Sequence, residues 1–395
     1  MGEIEPFPGP GKNVAIRRKN IGWTQKQLVA RARGVSLSAL QKIETGTRAL
    51  TQGTAAVLAD AMGCTLDELL GRAEPGVEDE ARLNALRSAI RRFDMPGEVP
   101  LDIDGMRSRM DQLHEDRSEA RLGEVLAALP LAVKQETDLA HELGTPLAWS
   151  RVADVYSAVY WLAARHRWMD LADLAVHKQR MAAERADALT GAVAARDEAG
   201  TFLNSGDFGG GIHVVDRAVV RAESELSGRN RALALGILHL RGLTLAGRIV
   251  GDKDSEKEAK KHIKGAWEAA NEVREDVLVH GIHFGPENTA VHVIATAGDM
   301  RKHREALETA ARLAKKGITL PATRIAPLNM NIARSKLAIG DREGALKNLE
   351  KAWQVAPQMS KVHPTSQELL RVLTSLHKRS NPRLTRLVRG AGLEI

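Results

Sequence analysis

The chain has 395 residues and a net charge of +7, with 43% apolar residues but only 3% aromatics. That length allows two or three domains, and an apolar content built on Ala, Leu and Val favours helices over sheets, so an all-α fold is expected. The single cysteine, Cys64, excludes a disulfide framework within the chain and suits a reducing cytoplasm, and no apolar run approaches the roughly eighteen residues of a membrane span.

The opening residues, MGEIEPFPGPGKN, lack both an apolar core and a leading positive charge. They read as a flexible tail over residues 1–10 and not as a secretory signal. A first helix is expected over residues 13–20, with Val14 facing in and Arg17, Arg18 and Lys19 outside. Thr24 and Gln27 form a capping box, T-x-x-Q, which opens a helix at Gln25 with Leu28, Val29 and Ala32 on its apolar face. Gly34 supplies the freedom for a sharp turn. Arg33 falls in that turn, because the other register would bury an unpaired charge. Ser36 caps the next helix, in which Leu40 and Ile43 point inward and Leu37, Ser38, Gln41 and Lys42 outward. A loop, Thr45-Gly46-Thr47-Arg48, offers backbone amides and a guanidinium to a phosphate. A helix over residues 54–62 then buries Leu58 and Met62. A second capping box, Thr65 with Glu68, opens a short helix carrying Leu66, Leu69 and Leu70. Residues 12–52 hold nine basic side chains against Glu44 alone, which leaves the rest of the chain nearly neutral. Such a concentration is the electrostatic footprint of phosphate binding.

The stretch from Thr24 to Gly46 resembles the helix-turn-helix of the Cro/cI-type (Xre) DNA-binding regulators. Its residues follow the family order: Thr24-Gln25 with Leu28, Gly34-Val35-Ser36, then Leu40, Ile43-Glu44 and Gly46. The spacing from Gln25 to Gly34 is one position longer than is usual in the family. The resemblance implies a five-helix, lambda-repressor-like domain over residues 11–71 that binds a double-stranded DNA operator as a homodimer. It implies that Gln25 meets DNA near the start of a half-site and that Leu37, Ser38, Gln41 and Lys42 read bases. Gln41 suits adenine, Lys42 suits guanine, and Leu37 suits a thymine methyl. Lys26, Arg17, Arg18 and Arg48 are expected to hold phosphates.

Residues 72–100 read as a linker with one amphipathic helix. Leu83, Leu86, Ile90 and Phe93 recur at three and four, a seam too short for a free coiled coil, so packing on the chain's own body is favoured over pairing of two chains. Residues 101–395 read as helical throughout, with breaks at Pro130, at Gly144-Thr145-Pro146 and at Gly191. Gly-Asp recurs at Gly206, Gly251, Gly298 and Gly340, in steps of 45, 47 and 42 residues. A period of that size signals stacked helical hairpins. The units resemble tetratricopeptide repeats with extended loops, the best one closing at Pro357 with Ala333, Ala345, Leu349 and Ala352 at its small or apolar positions. An earlier unit is expected to turn near Arg167-Trp168-Met169-Asp170. This TPR-like resemblance implies a superhelix that dimerises and takes a signal in a concave groove. In its frame Asn204, Asn288, Asn331 and Arg334 face the groove, where an amide can both donate to and accept from a peptide backbone. The segment from His283 to Asn288 resembles actinobacterial regulators of this class, which implies a peptide or small-molecule ligand.

Enzymatic motifs are weak. His141-Glu142 lacks the second histidine of a zinc peptidase, since Thr145 stands in its place. The glycine-rich run at residues 206–211 lacks the Lys-Ser/Thr of a phosphate loop, and Gly281, Gly285 and Pro286 interrupt the alignment of His280, His283 and His292. No catalytic residue, metal or cofactor is expected. The reading is a cytoplasmic transcription regulator with a ligand-sensing body. The alternative is a DNA-tethered scaffold whose groove docks a partner protein.

Overall fold

The computed structural model describes residues 9–71, 77–97, 102–252, 254–376 and 381–393. Among these lie 21 helices and one two-stranded hairpin. Five short helices come first: α1 (Pro10–Asn20), α2 (Gln25–Arg31), α3 (Leu37–Glu44), α4 (Gln52–Met62) and α5 (Leu66–Leu70). Side chains cap four of them. Thr24 and Thr65 each close a capping box, and Ser36 and Thr51 accept the N–H groups of Ala39 and Thr54. Caps matter here because helices this short have little else to satisfy their first N–H groups. Val14, Leu28, Leu40, Ile43, Leu58 and Leu69 fill a core of their own. Asn13 ties α1 to α5, its Nδ2 donating to the carbonyls of Glu68 and Leu69 at 2.6 and 3.1 Å. Most of the tail expected over residues 1–10 lies outside the described residues, but Gly9 and Pro10 are buried where α1 starts.

The seam of Leu83, Leu86, Ile90 and Phe93 belongs to α6 (Val77–Arg91) and the turn after it, and all four side chains are buried in the body. Phe93 meets Trp149 and Tyr156 with ring centroids 5.9 and 5.7 Å apart. The remainder of the expected linker, residues 72–76 and 98–100, lies outside the described residues.

The body is a succession of helical hairpins: α7 (Ile103–Ser118) with α8 (Leu122–Leu143), α9 (Pro146–His166) with α10 (Met169–Ala183), α11 (Ala188–Ser205) with α12 (Phe208–Glu225) and α13 (Gly228–Ala246) with α14 (Ser255–Val273). Then follow α15 (Pro286–Asp299) with α16 (His303–Lys316) and α17 (Ala322–Ala338) with α18 (Arg342–Val355), before α19 (Pro357–Val362), α20 (Pro364–Leu376) and α21 (Pro382–Gly390). Three of the Gly-Asp pairs lie in turns, and Asp207 and Asp341 cap α12 and α18. The fourth pair, Gly298-Asp299, instead ends α15, and the turn passes to residues 300–302 with Arg301 left-handed. Gly144 and Thr145 end one helix and cap the next as expected, whereas Pro130 and Gly191 sit inside α8 and α11 without breaking them. Buried Leu126, Leu129 and Val133 carry α8 past its proline, so packing overrides local propensity there. One core joins α6–α10 to α17–α21, so the two ends of the array meet and close it around a central space. Gln358 fastens that closure, accepting the Gly123 N–H at 2.9 Å.

Not everything after residue 101 is helical. Strands β1 (Val277–Val279) and β2 (Ile282–Phe284) pair antiparallel through a two-residue turn, His280-Gly281, with φ of 47° and 67°. Positive φ at both positions is what a tight hairpin turn demands, and glycine supplies one of them. Phe284 is wholly buried against Gly236, where a Cβ would overlap its ring.

Candidate functional site: a nucleic-acid interface and an arginine-lined chamber

Helices α2 and α3 are joined by residues 32–36, with Gly34 left-handed at φ 77°. Arg33 stands exposed in that turn. On α3, Leu40 and Ile43 are buried, Ser38, Gln41 and Lys42 are exposed, and Leu37 is half-buried at the helix start. Lys26 is exposed beside them on α2. This face combines amide, hydroxyl and ammonium groups, the donor and acceptor types that read base edges.

Other residues of the expected contact set are engaged within the protein. Arg18 is buried and grips Glu44 through Nε and Nη2 at 2.7 and 2.8 Å, while its Nη1 donates to the Trp23 carbonyl at 2.7 Å. It therefore clamps α1 to α3 and is not offered to a phosphate. Gln25 donates to the same carboxylate at 2.8 Å. Burial alone would raise the Glu44 carboxyl, but the hydrogen bonds from Arg18 and Gln25 hold it below the usual carboxylate range. Arg17 reaches Glu68 at 3.1 Å on the surface. Arg48 is half-buried, lowered by burial and by the charge of Arg301 on the body.

The five-helix unit is seated on the body by the loop before α4. The Leu50 N–H donates to Oε1 of buried Glu368 at 2.9 Å. At the start of α4, a Cβ on Gly53 would collide with the Arg248 carbonyl. Buried Arg167 forms an ion pair with Asp67 of α5. Burial raises Glu368 to about 6, against the opposing pull of the Leu50 N–H and Arg371.

Beneath this seat lies the central chamber, with a free volume of about 230 Å³. It is walled largely by the first helices of the hairpins, with β2, α19 and the α4 residue Gln52 completing it. Seven arginines line it: Arg117, Arg165, Arg167, Arg196, Arg241, Arg248 and Arg324. No Asp, Glu or Lys shares the lining. Arg196, Arg248 and Arg167 pair with Asp197, Asp299 and Asp67 respectively. The other four have no carboxylate at ion-pair distance among the described residues. Arg117 donates to Ser157 Oγ at 3.3 Å, Arg165 to the Trp161 carbonyl at 2.9 Å and Arg241 to the Arg196 carbonyl at 3.1 Å. Arg165 also lies 4.0 Å over the Trp161 ring. The Arg324 guanidinium makes no hydrogen bond or ion pair among the described residues. Burial, and after it the neighbouring guanidiniums, push Arg324 down to about 9, and burial pushes Arg117 and Arg241 down to about 10.

Asn204 and Asn288 stand on the chamber wall. Asn331 and Arg334 lie outside it. Asn331 donates to the Pro327 carbonyl of its own helix at 3.0 Å, and Arg334 reaches Asp299 at 2.5 Å. On α17 the lining is made by Arg324 and Pro327, and Asn331 and Arg334 follow one and two turns further along the helix, beyond the chamber. The chamber arginines escaped the sequence reading altogether, yet a signal was there. Arg196, Arg241 and Asn288 each stand ten residues before the glycine of a Gly-Asp pair. The histidines take separate partners, His280 with Asp154, His283 with Ser118 and His292 with Thr244, and the last two stand on the chamber wall. His141 Nε2–H donates to the Phe93 carbonyl at 2.8 Å and the ring packs on Trp149, a structural role.

Residues 14–69 match the Helix-turn-helix family. They form an Xre-type helix-turn-helix domain, the mark of a DNA-binding regulator. Among solved structures, a mutant of PrgX aligns with 96% of this chain and 99% of its own at 11% identity, with a TM-score of 0.24, too low to bear on fold or function. No curated protein sequence matches the chain. No helix among the described residues is long and apolar enough to cross a membrane.

Proposed function

We propose that the chain is a cytoplasmic, sequence-specific transcription regulator whose helical-hairpin body senses a ligand and controls the helix-turn-helix domain. The observation that carries this is the coincidence, over residues 14–69, of the family match with an exposed Ser38-Gln41-Lys42 face on α3. Two copies would place paired α3 helices on half-sites about one DNA turn apart. The seat on the body supports a switch. A helix N-terminus and the loop before it suit phosphate binding, and here the body covers both at Gly53 and Leu50. Full engagement of DNA then requires the domain to lift from Glu368, and a ligand acts by preferring one of the two arrangements. The small volume of the chamber supports a small molecule or short peptide over a folded protein partner, which favours sensing over scaffolding. Selection of bound sequences from random duplex by the full chain, in moderate salt, tests the reading. Recovery of one motif with two half-sites is expected. Recovery of random sequence overturns it.

A further inference from the structure

We infer that the chamber binds a small organic polyanion, a molecule bearing phosphoryl or carboxyl groups on an apolar frame. The inference rests on the regulator reading and names the class of its ligand. Buried arginines are ordinarily paired, because an uncompensated buried charge is strongly destabilising. Here four guanidiniums share one interior with no carboxylate at ion-pair distance among the described residues. Arginine does not shed its proton inside proteins, so their mutual repulsion is relieved by an incoming anion and not by deprotonation. Donors are already in place: Nη1 of Arg117 and Nε of Arg165 and Arg324 are buried without a hydrogen-bond partner, and Arg117 is only 3% exposed.

The chemistry of the lining narrows the class. Every cation in it is an arginine, whose planar fork matches carboxylate and phosphate oxygens two at a time. The arginines come from α7, α9, α11, α13 and α17, so they approach a ligand from several sides, which suits more than one anionic group. Leu203, Ile237, Leu240, Ile282 and Met359 add an apolar wall for the rest of the molecule. His283 and His363 are held down to about 4 and about 3 by burial and then by the arginines, so they remain neutral and add no charge. At about 230 Å³, the free space has room for on the order of eight waters, which fits a metabolite-sized ligand and excludes a nucleic-acid duplex.

The test uses the full chain, with inorganic pyrophosphate and tricarballylate as probes against sodium chloride at matched ionic strength. Calorimetry should show saturable binding of at least one probe near one molecule per chain, with a raised Tm. The two probes separate phosphoryl from carboxyl recognition. Arg324→Gln should weaken the binding about tenfold or more, as expected for loss of a charge-assisted hydrogen bond. The same change should leave the ligand-free Tm equal or higher, because a repelling cation has gone. Arg324→Lys, which keeps the charge but loses the fork, should fall between. Binding of neither probe above the salt control overturns the inference, as does undiminished affinity in both variants, which would put the anion elsewhere. The duplex selection is run on wild-type protein without anion. A recovered motif with no anion binding therefore removes this inference and leaves the regulator reading standing.

Discussion

The molecule carries two collections of positive charge, and they are built on opposite principles. On the helix-turn-helix unit, Lys12, Lys19, Lys26, Arg31 and Lys42 are exposed. Water solvates them, they cost little in folding, and they are available to a long external polyanion. In the body, whose overall charge is close to zero, seven arginines line one chamber and no Asp, Glu or Lys shares its walls. The net charge of the body conceals that segregation. A balanced sum says how many charges of each sign exist, and only the fold says where they stand.

Four substitutions probe the contrast. The largest expected effect is at Arg18, the one cation of the N-terminal unit that is turned inward. Arg18→Ala should destabilise that unit by about 3–5 kcal/mol, because Glu44 is left buried and unpaired. Denaturant unfolding followed by Trp23 fluorescence measures this. Unchanged stability with a smaller salt dependence of DNA binding would return Arg18 to the outward, phosphate-holding group. Lys42→Ala should cost about 1–3 kcal/mol on the selected operator and relax preference at one base. Equal losses on all sequences in a mobility-shift series would make Lys42 a general cation and not a base reader.

Glu368 sharpens the comparison from the side of the seat. Its carboxyl titrates near 6 in the seated protein against 4.5 when exposed, so the seated form holds its proton more tightly. Seating is therefore strongest below about pH 4.5 and weakens as pH rises through about 6. Glu368→Gln keeps an acceptor for the Leu50 N–H but cannot titrate. Energy transfer between dyes on the two units should change with pH in the wild type and stay flat in the variant. The smallest effect belongs to Arg17→Ala. Its pair with Glu68 is partly exposed, so unfolding free energy should fall by at most about 1 kcal/mol.

What the sequence made legible follows the range of the interactions. Capping boxes at Thr24 and Thr65, the turn at Gly34 and the seam from Leu83 to Phe93 are set by neighbours a few residues apart, and each appears in the structure where its spacing placed it. The β1–β2 hairpin was missed because three-residue strands are too short to show an alternation, although His280-Gly281 is a turn signal. Arg18 was misjudged because an outward position on α1 says nothing of a partner 26 residues away. The chamber was invisible for the same reason on a larger scale. Arg117 and Arg324 are brought together only when the array closes, and no local pattern marks that closure. Only the regular placement of Arg196 and Arg241 along successive hairpins hinted at it.

Gly53 has a consequence of its own. It opens a helix that would tolerate, and by propensity prefer, alanine, yet the space for one methyl group is filled by the backbone of Arg248. Gly53→Ala would thus act as a wedge, sparing the fold of either part while prying them apart. On the proposed reading, a protein so altered would behave as though its signal had been fixed in one position, so a single methyl group would uncouple the body from the helix-turn-helix unit.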